Sequence, residues 1–142
     1  MIAGKICVIV GGSLSLLMVI FHTQFYKLFN WKEEFEKITP RNQRIFYTVH
    51  MALLLLFVIF FILSFVYLDE LSQCRGAAFG IMAGYSLFWL WRTIWQIVYF
   101  KPPKKTGKNK STRKLLFIHY FLIVVFFILF LAYSVPVILK LS

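Results

Sequence analysis

Acidic side chains are scarce: the 142 residues contain five, Glu33, Glu34, Glu36, Asp69 and Glu70, confined to two short stretches. No long apolar run therefore holds a carboxylate, which excludes paired-carboxylate acid–base chemistry there and leaves any buried cation without an internal counter-ion. Only two cysteines occur, and CxxC, HExxH, GxGxxG and P-loop patterns are all missing, so no motif announces a reaction.

What the chain has instead is apolar surface. It is 61% hydrophobic and 15% charged, whereas a soluble domain is about half apolar and a quarter charged. Four apolar runs, about 6–29, 45–68, 76–100 and 115–141, each supply the roughly 20 residues that a membrane helix needs. The fold class expected is all-α, an integral membrane antiparallel four-helix bundle forming one transmembrane domain over 1–142. The first run has an early cation, Lys5, as a signal peptide does. Phe21-His22-Thr23-Gln24 offers no small-x-small cleavage pattern, however, so a retained span is expected.

Between the first two spans, Trp31, Phe35 and Ile38 recur at helical spacing, with Lys32, Glu33, Glu34, Glu36 and Lys37 on the other side. That pattern predicts a short amphipathic helix lying in the head-group region. Thr39-Pro40 reads as an N-cap followed by proline at the first helical position, where its missing N–H costs nothing. The short 69–75 loop makes the second and third spans antiparallel neighbours. Pro102-Pro103 ends the third span, and Pro136 predicts a kink or frayed turn near the end of the fourth.

Charge sets the orientation. Seven cations and no acid occupy Lys101 to Lys114, and Lys27, Lys32, Lys37, Arg41 and Arg44 lie in the first connection. Only Lys5, Arg75 and Lys140 face the opposite side, which puts both basic connections in the cytoplasm and both termini outside. The partner expected for 101–114 is anionic lipid head groups rather than nucleic acid, because these cations flank membrane spans. Cys7 and Cys74 share the outer side, where a disulfide is permitted, although two free thiols are the simpler reading.

Three histidines and one arginine, His22, His50, Arg92 and His119, sit inside the spans, one per helix. Counted at 1.5 Å per residue, they form a layer roughly 6–12 Å below the cytoplasmic boundary. Heptad stripes carry them: Gly11, Ser15, His22 and Tyr26; Gln43, His50, Phe57 and Ser64; Tyr85, Arg92 and Tyr99; and His119, Phe126 and Tyr133. Arginine at such a depth costs about 2.5–3.5 kcal/mol on insertion scales, so it needs an anion or water. One reading is a haem-like cofactor site, with two of the three histidines as axial ligands, Arg92 pairing with a propionate, and Tyr26, Tyr47, Trp95 and Gln96 in support. A second is a transition-metal site of His22, His50 and His119, which a nearby guanidinium disfavours. The plain structural reading is a snorkelling arginine and packed histidines bonded to tyrosines.

Gly76, Gly80 and Gly84 form a GxxxGxxxG run, a face for close packing against a neighbouring span, a second copy or a membrane partner. The strings Asn42-Gln43-Arg44-Ile45-Phe46-Tyr47 and Phe88-Trp89-Leu90-Trp91-Arg92 resemble segments of small four-span bacterial inner-membrane proteins with no assigned activity. The resemblance implies a multi-pass protein of the bacterial plasma membrane and carries no functional residue across. Three functions stay open: a cofactor or polar-ligand protein, a non-catalytic accessory or assembly subunit, and an enzyme acting on a lipophilic anion held by Arg92.

Overall fold

The structure is a computed structural model that describes residues 2–100 and 110–142. Seven helices occur among them: α1 Ile2–Thr23, α2 Phe25–Leu28, α3 Trp31–Glu36, α4 Pro40–Val66, α5 Leu68–Ser72, α6 Ala77–Val98 and α7 Lys110–Leu141. Residues 101–109, most of the expected basic loop, lie outside the described residues, and the helix that follows already begins at Lys110.

Three of these helices are long and apolar enough to cross a membrane: α1, α4, and α7 from Arg113 onward. They fit a membrane-embedded protein. Helix α6 is as long as α1, but Arg92, Gln96 and three tryptophans dilute its apolar character. Its buried residues, among them Ala78, Met82, Tyr85, Trp89, Thr93 and Gln96, nevertheless follow one helical stripe, while Leu87, Trp91, Ile94 and Val98 point outward. The whole molecule has this polarity. Ile6, Val10, Leu17, Leu55, Ile62, Phe117 and Val124 are exposed, whereas Ser15, His22, Ser64, Thr93, Gln96, His119 and Ser134 are buried. A chain in water does the reverse.

The interhelical geometry starts from small residues on α1. A Cβ on Gly4 would stand 2.5 Å from the carbonyl oxygen of Ser72 in α5, and one on Gly12 would meet Ser64 and Phe65 of α4 at 2.8 Å. Backbones approach this closely only where no side chain intervenes. Lys5 also pairs with Asp69 of α5. Helix α1 therefore packs along both α4 and α7, and α6 packs along α7. Helices α4 and α6, despite their short connection, do not pack backbone to backbone. Aromatic rings close the space between them: Phe57 stacks on Trp89 at 5.4 Å, and Phe60 meets Tyr85 at 3.9 Å and Phe88 at 5.4 Å. A short loop fixes where two helices end, not how closely they run.

The chain breaks after Thr23, and Asn30 takes a left-handed conformation (φ 49°) that redirects it into α3. Asparagine tolerates this region better than most residues. Helix α3 then lies on the start of α4. Gln43 Nε2 donates to the Phe35 carbonyl at 2.8 Å, satisfying a helix-end acceptor, while Phe35 and Trp31 pack against Tyr47. Thr39 is the N-cap of α4, its hydroxyl accepting from the Asn42 N–H at 3.4 Å, with Pro40 opening the helix. Pro136 lies inside α7 without ending it.

Candidate functional site

Apart from the exposed Tyr26 and Tyr99, the heptad stripes turn inward and meet as layers. Farthest from His22 on the α1 stripe, the Tyr133 hydroxyl lies 3.2 Å from Ser15 Oγ and 3.0 Å from Ser64 Oγ, joining α1, α4 and α7. Ser15 in turn donates to the Gly11 carbonyl at 2.8 Å. The Tyr85 ring meets Tyr133 edge-on at 5.0 Å. A second layer is aromatic, with Trp89 between Phe57 and Phe126, the latter at 5.5 Å. Arg92 rests against that layer, its guanidinium carbon 5.1 Å from the Phe126 ring centre.

The third layer holds the histidines in two groups. His22 is buried, and its Nδ1 donates to the Met18 carbonyl at 2.9 Å, because a carbonyl can only accept. Its ring stacks on Phe25 at 4.2 Å and lies face to face with His50 at 5.8 Å and 26°. Trp31 of α3 packs edge-on against His50 at 4.9 Å. The other group is on α6 and α7. Gln96 Nε2 lies 3.1 Å from His119 Nδ1. With the amide donating, Nδ1 carries the lone pair and the ring proton is on Nε2.

Beside this second group is a half-open cleft of about 270 Å³. Arg92, Gln96 and His119 supply its polar wall. Phe25, Phe29 and Phe100, with aliphatic side chains of α7, supply the rest. Among the described residues no carboxylate lines it, and Arg92 Nε is buried without a hydrogen-bond partner. The wall thus offers a guanidinium and an imidazole N–H as donors, with the Gln96 carbonyl oxygen as its one side-chain acceptor.

Of the residues singled out from the sequence, the cleft gathers Arg92, His119 and Gln96. His22 and His50 form the neighbouring stacked pair, linked to the cleft by Phe25, which belongs to both. Tyr26, Tyr47 and Trp95 are exposed and line neither. Trp95 stacks outside between Trp91 and Tyr99. Among the described residues, no group of three His, Cys, Asp or Glu side chains comes close enough to hold a metal ion. Cys7 and Cys74 are free thiols. Phe25 and Phe29 were missed as wall residues, because the turn at Gln24 that places them is not encoded in helical spacing.

No family model matches the chain, and no curated protein or solved structure is significantly similar to it.

Proposed function

We propose that the chain is a four-span antiparallel bundle of a plasma membrane that holds a lipophilic anion beside Arg92, in the cytoplasmic half of the bundle. The single observation carrying this reading is the Arg92 guanidinium in a cleft without a carboxylate, next to an imidazole donor. A cation in a low-dielectric setting needs an anion, and a ligand can bring it. The lipid-facing apolar exterior and the cation asymmetry support four spans with both termini outside and α3 at the interface. The bacterial inner membrane is the setting that the layout suggests. Residues 101–114 then meet anionic head groups rather than nucleic acid.

The haem and metal readings draw less support. The cleft, at about 270 Å³, lies at the bottom of the roughly 300–1,000 Å³ range of pockets for drug-sized ligands, and a haem is larger than most of those. Axial ligands direct their nitrogens at an iron from opposite sides, whereas the closest imidazoles, His22 and His50, lie ring face to ring face. An accessory or assembly role has one observation in its favour: the Cβ positions of Gly80 and Gly84 have no neighbour within 4 Å, so this face is open to a second copy or a membrane partner.

The test is mass spectrometry of amphiphiles retained by gently extracted protein, compared with Arg92→Gln. A negatively charged amphiphile near one per chain, lost in the variant, is expected. An identical complement in both proteins, or a Soret band lost with His50→Ala, would displace the anion reading. Maleimide labelling of single cysteines at Lys32 and Gln73 from opposite sides of sealed vesicles tests the orientation.

A further inference from the structure

We infer that the ligand of the Arg92 cleft is an amphiphilic monoanion whose charge is shared by two equivalent oxygens, a carboxylate or a phosphodiester, on a long apolar tail. This rests on the anion reading above and narrows it to a chemical class.

Charge balance gives the valence. Among the described residues the cleft wall carries one cation and no acid, so one negative charge neutralises it. A phosphomonoester, at about −1.5 to −2 near neutral pH, would leave excess charge among Phe25, Phe29, Phe100 and the α7 aliphatics, a costly arrangement in apolar surroundings. The geometry of the donors gives the pair of oxygens. The guanidinium carbon stands 5.1 Å from the Phe126 ring centre, within reach of a cation–π contact. A guanidinium is a planar fork matched to two oxygens, and among the described residues Arg92 Nε has no hydrogen-bond partner. His119 adds a separate donor, Nε2–H, because Gln96 occupies Nδ1.

Volume and lining give the tail. A cleft of about 270 Å³, just under the roughly 300–1,000 Å³ that encloses a drug-sized ligand, accepts a head group and the first few carbons. The rest of the tail must leave the cleft. The cleft is half-open, and Phe100 on its wall is exposed, offering an apolar way out. A zwitterionic head group would bring a second cation beside Arg92, which the wall has no acid to receive.

The experiment uses the full chain in a non-ionic detergent and four single-tailed probes: oleate, lysophosphatidylglycerol, lysophosphatidic acid and lysophosphatidylcholine. Binding is read by native mass spectrometry and by the rise in unfolding temperature. At least one monoanion is expected to bind at least tenfold more tightly than both the monoester and the zwitterion, with that preference lost in Arg92→Gln. Should Arg92→Gln fail to fold, Leu115→Trp, which crowds the cleft from its half-exposed rim, is expected to lose at least tenfold in affinity for the monoanion. Preference for oleate identifies a fatty carboxylate, and preference for lysophosphatidylglycerol a lipid head group; either supports the class. Lysophosphatidic acid binding as tightly as the monoanions overturns the class and leaves the anion site standing. No preference for any anion over the zwitterion overturns both.

Discussion

The Tyr133 ring fills the space that a side chain on Gly11 would need: a Cβ built on Gly11 comes within 2.7 Å of Tyr133 Cζ. The ring is fully buried and its hydroxyl bonds Ser15 and Ser64, so it cannot swing away without breaking the junction of three helices.

Gly11→Ala is therefore expected to destabilise the bundle by about 1–3 kcal/mol, the usual cost of overpacking. The same change at Gly84, where a Cβ meets nothing within 4 Å, is expected to be neutral or slightly stabilising through helix propensity. Reversible unfolding in mixed micelles measures both. Equal effects at the two positions would mean that α1 and α7 are not so closely packed.

Tyr133→Phe keeps the ring and removes only the hydroxyl. The expected loss is about 0.6 kcal/mol, the average for a hydrogen bond between membrane helices, and at most about 1.7 kcal/mol. The double variant Tyr133→Phe with Ser64→Ala should lose less than the sum of the single losses, since both remove the same 3.0 Å bond. Strict additivity would argue that the bond is not made.

The open glycine face yields a different expectation. Gly80→Leu and Gly84→Leu should leave the unfolding free energy of one chain within about 0.5 kcal/mol, as substitutions at unencumbered surface positions do. If a second copy docks there, the same variants abolish cross-linked dimers from native membranes. Unchanged dimer yield would remove this face from the interface.

Cys74 gives a pH-dependent readout outside the spans. Burial raises its thiol pKa, with Lys140 pulling partly the other way, and Sγ donates to the Leu71 carbonyl. The folded state thus keeps a proton that the unfolded state releases above roughly pH 8.5. The sign follows from linkage: this contribution is present below the unfolded pKa and is lost as pH rises past it. Maleimide labelling of a Cys7→Ser protein should be slow at pH 7–8, speed up as pH rises, and become fast on unfolding. Prompt labelling of folded protein at pH 7 would contradict the burial.

The interior was legible in the sequence because helical periodicity survives in a membrane. Ser15 and His22, Phe57 and Ser64, and His119, Phe126 and Tyr133 lie on the heptad stripes and are buried. Glycine spacing was a poorer guide. The run at Gly76, Gly80 and Gly84 suggested close contact, yet Gly4, Gly11 and Gly12 make the close approaches within the chain. Spacing describes one helix and does not say which neighbour fills its face. Exposed aromatics misled in the same way: Tyr26 and Trp95 sit one residue from Phe25 and Gln96, about 100° around the helix, and Tyr47 turns to Trp31 and Phe35 of α3. The division of the polar layer into a stacked histidine pair and an arginine cleft depends on the turn at Gln24 that brings Phe25 between them, and no spacing rule encodes that turn.

The ring-filled gap between α4 and α6 makes α1 and α7 the spine of the molecule. A polypeptide severed between Gln73 and Gly76 would keep its two halves joined through that spine, each half contributing one of the central helices. The covalent link at 73–76 is thus a matter of delivery into the bilayer more than of cohesion within it.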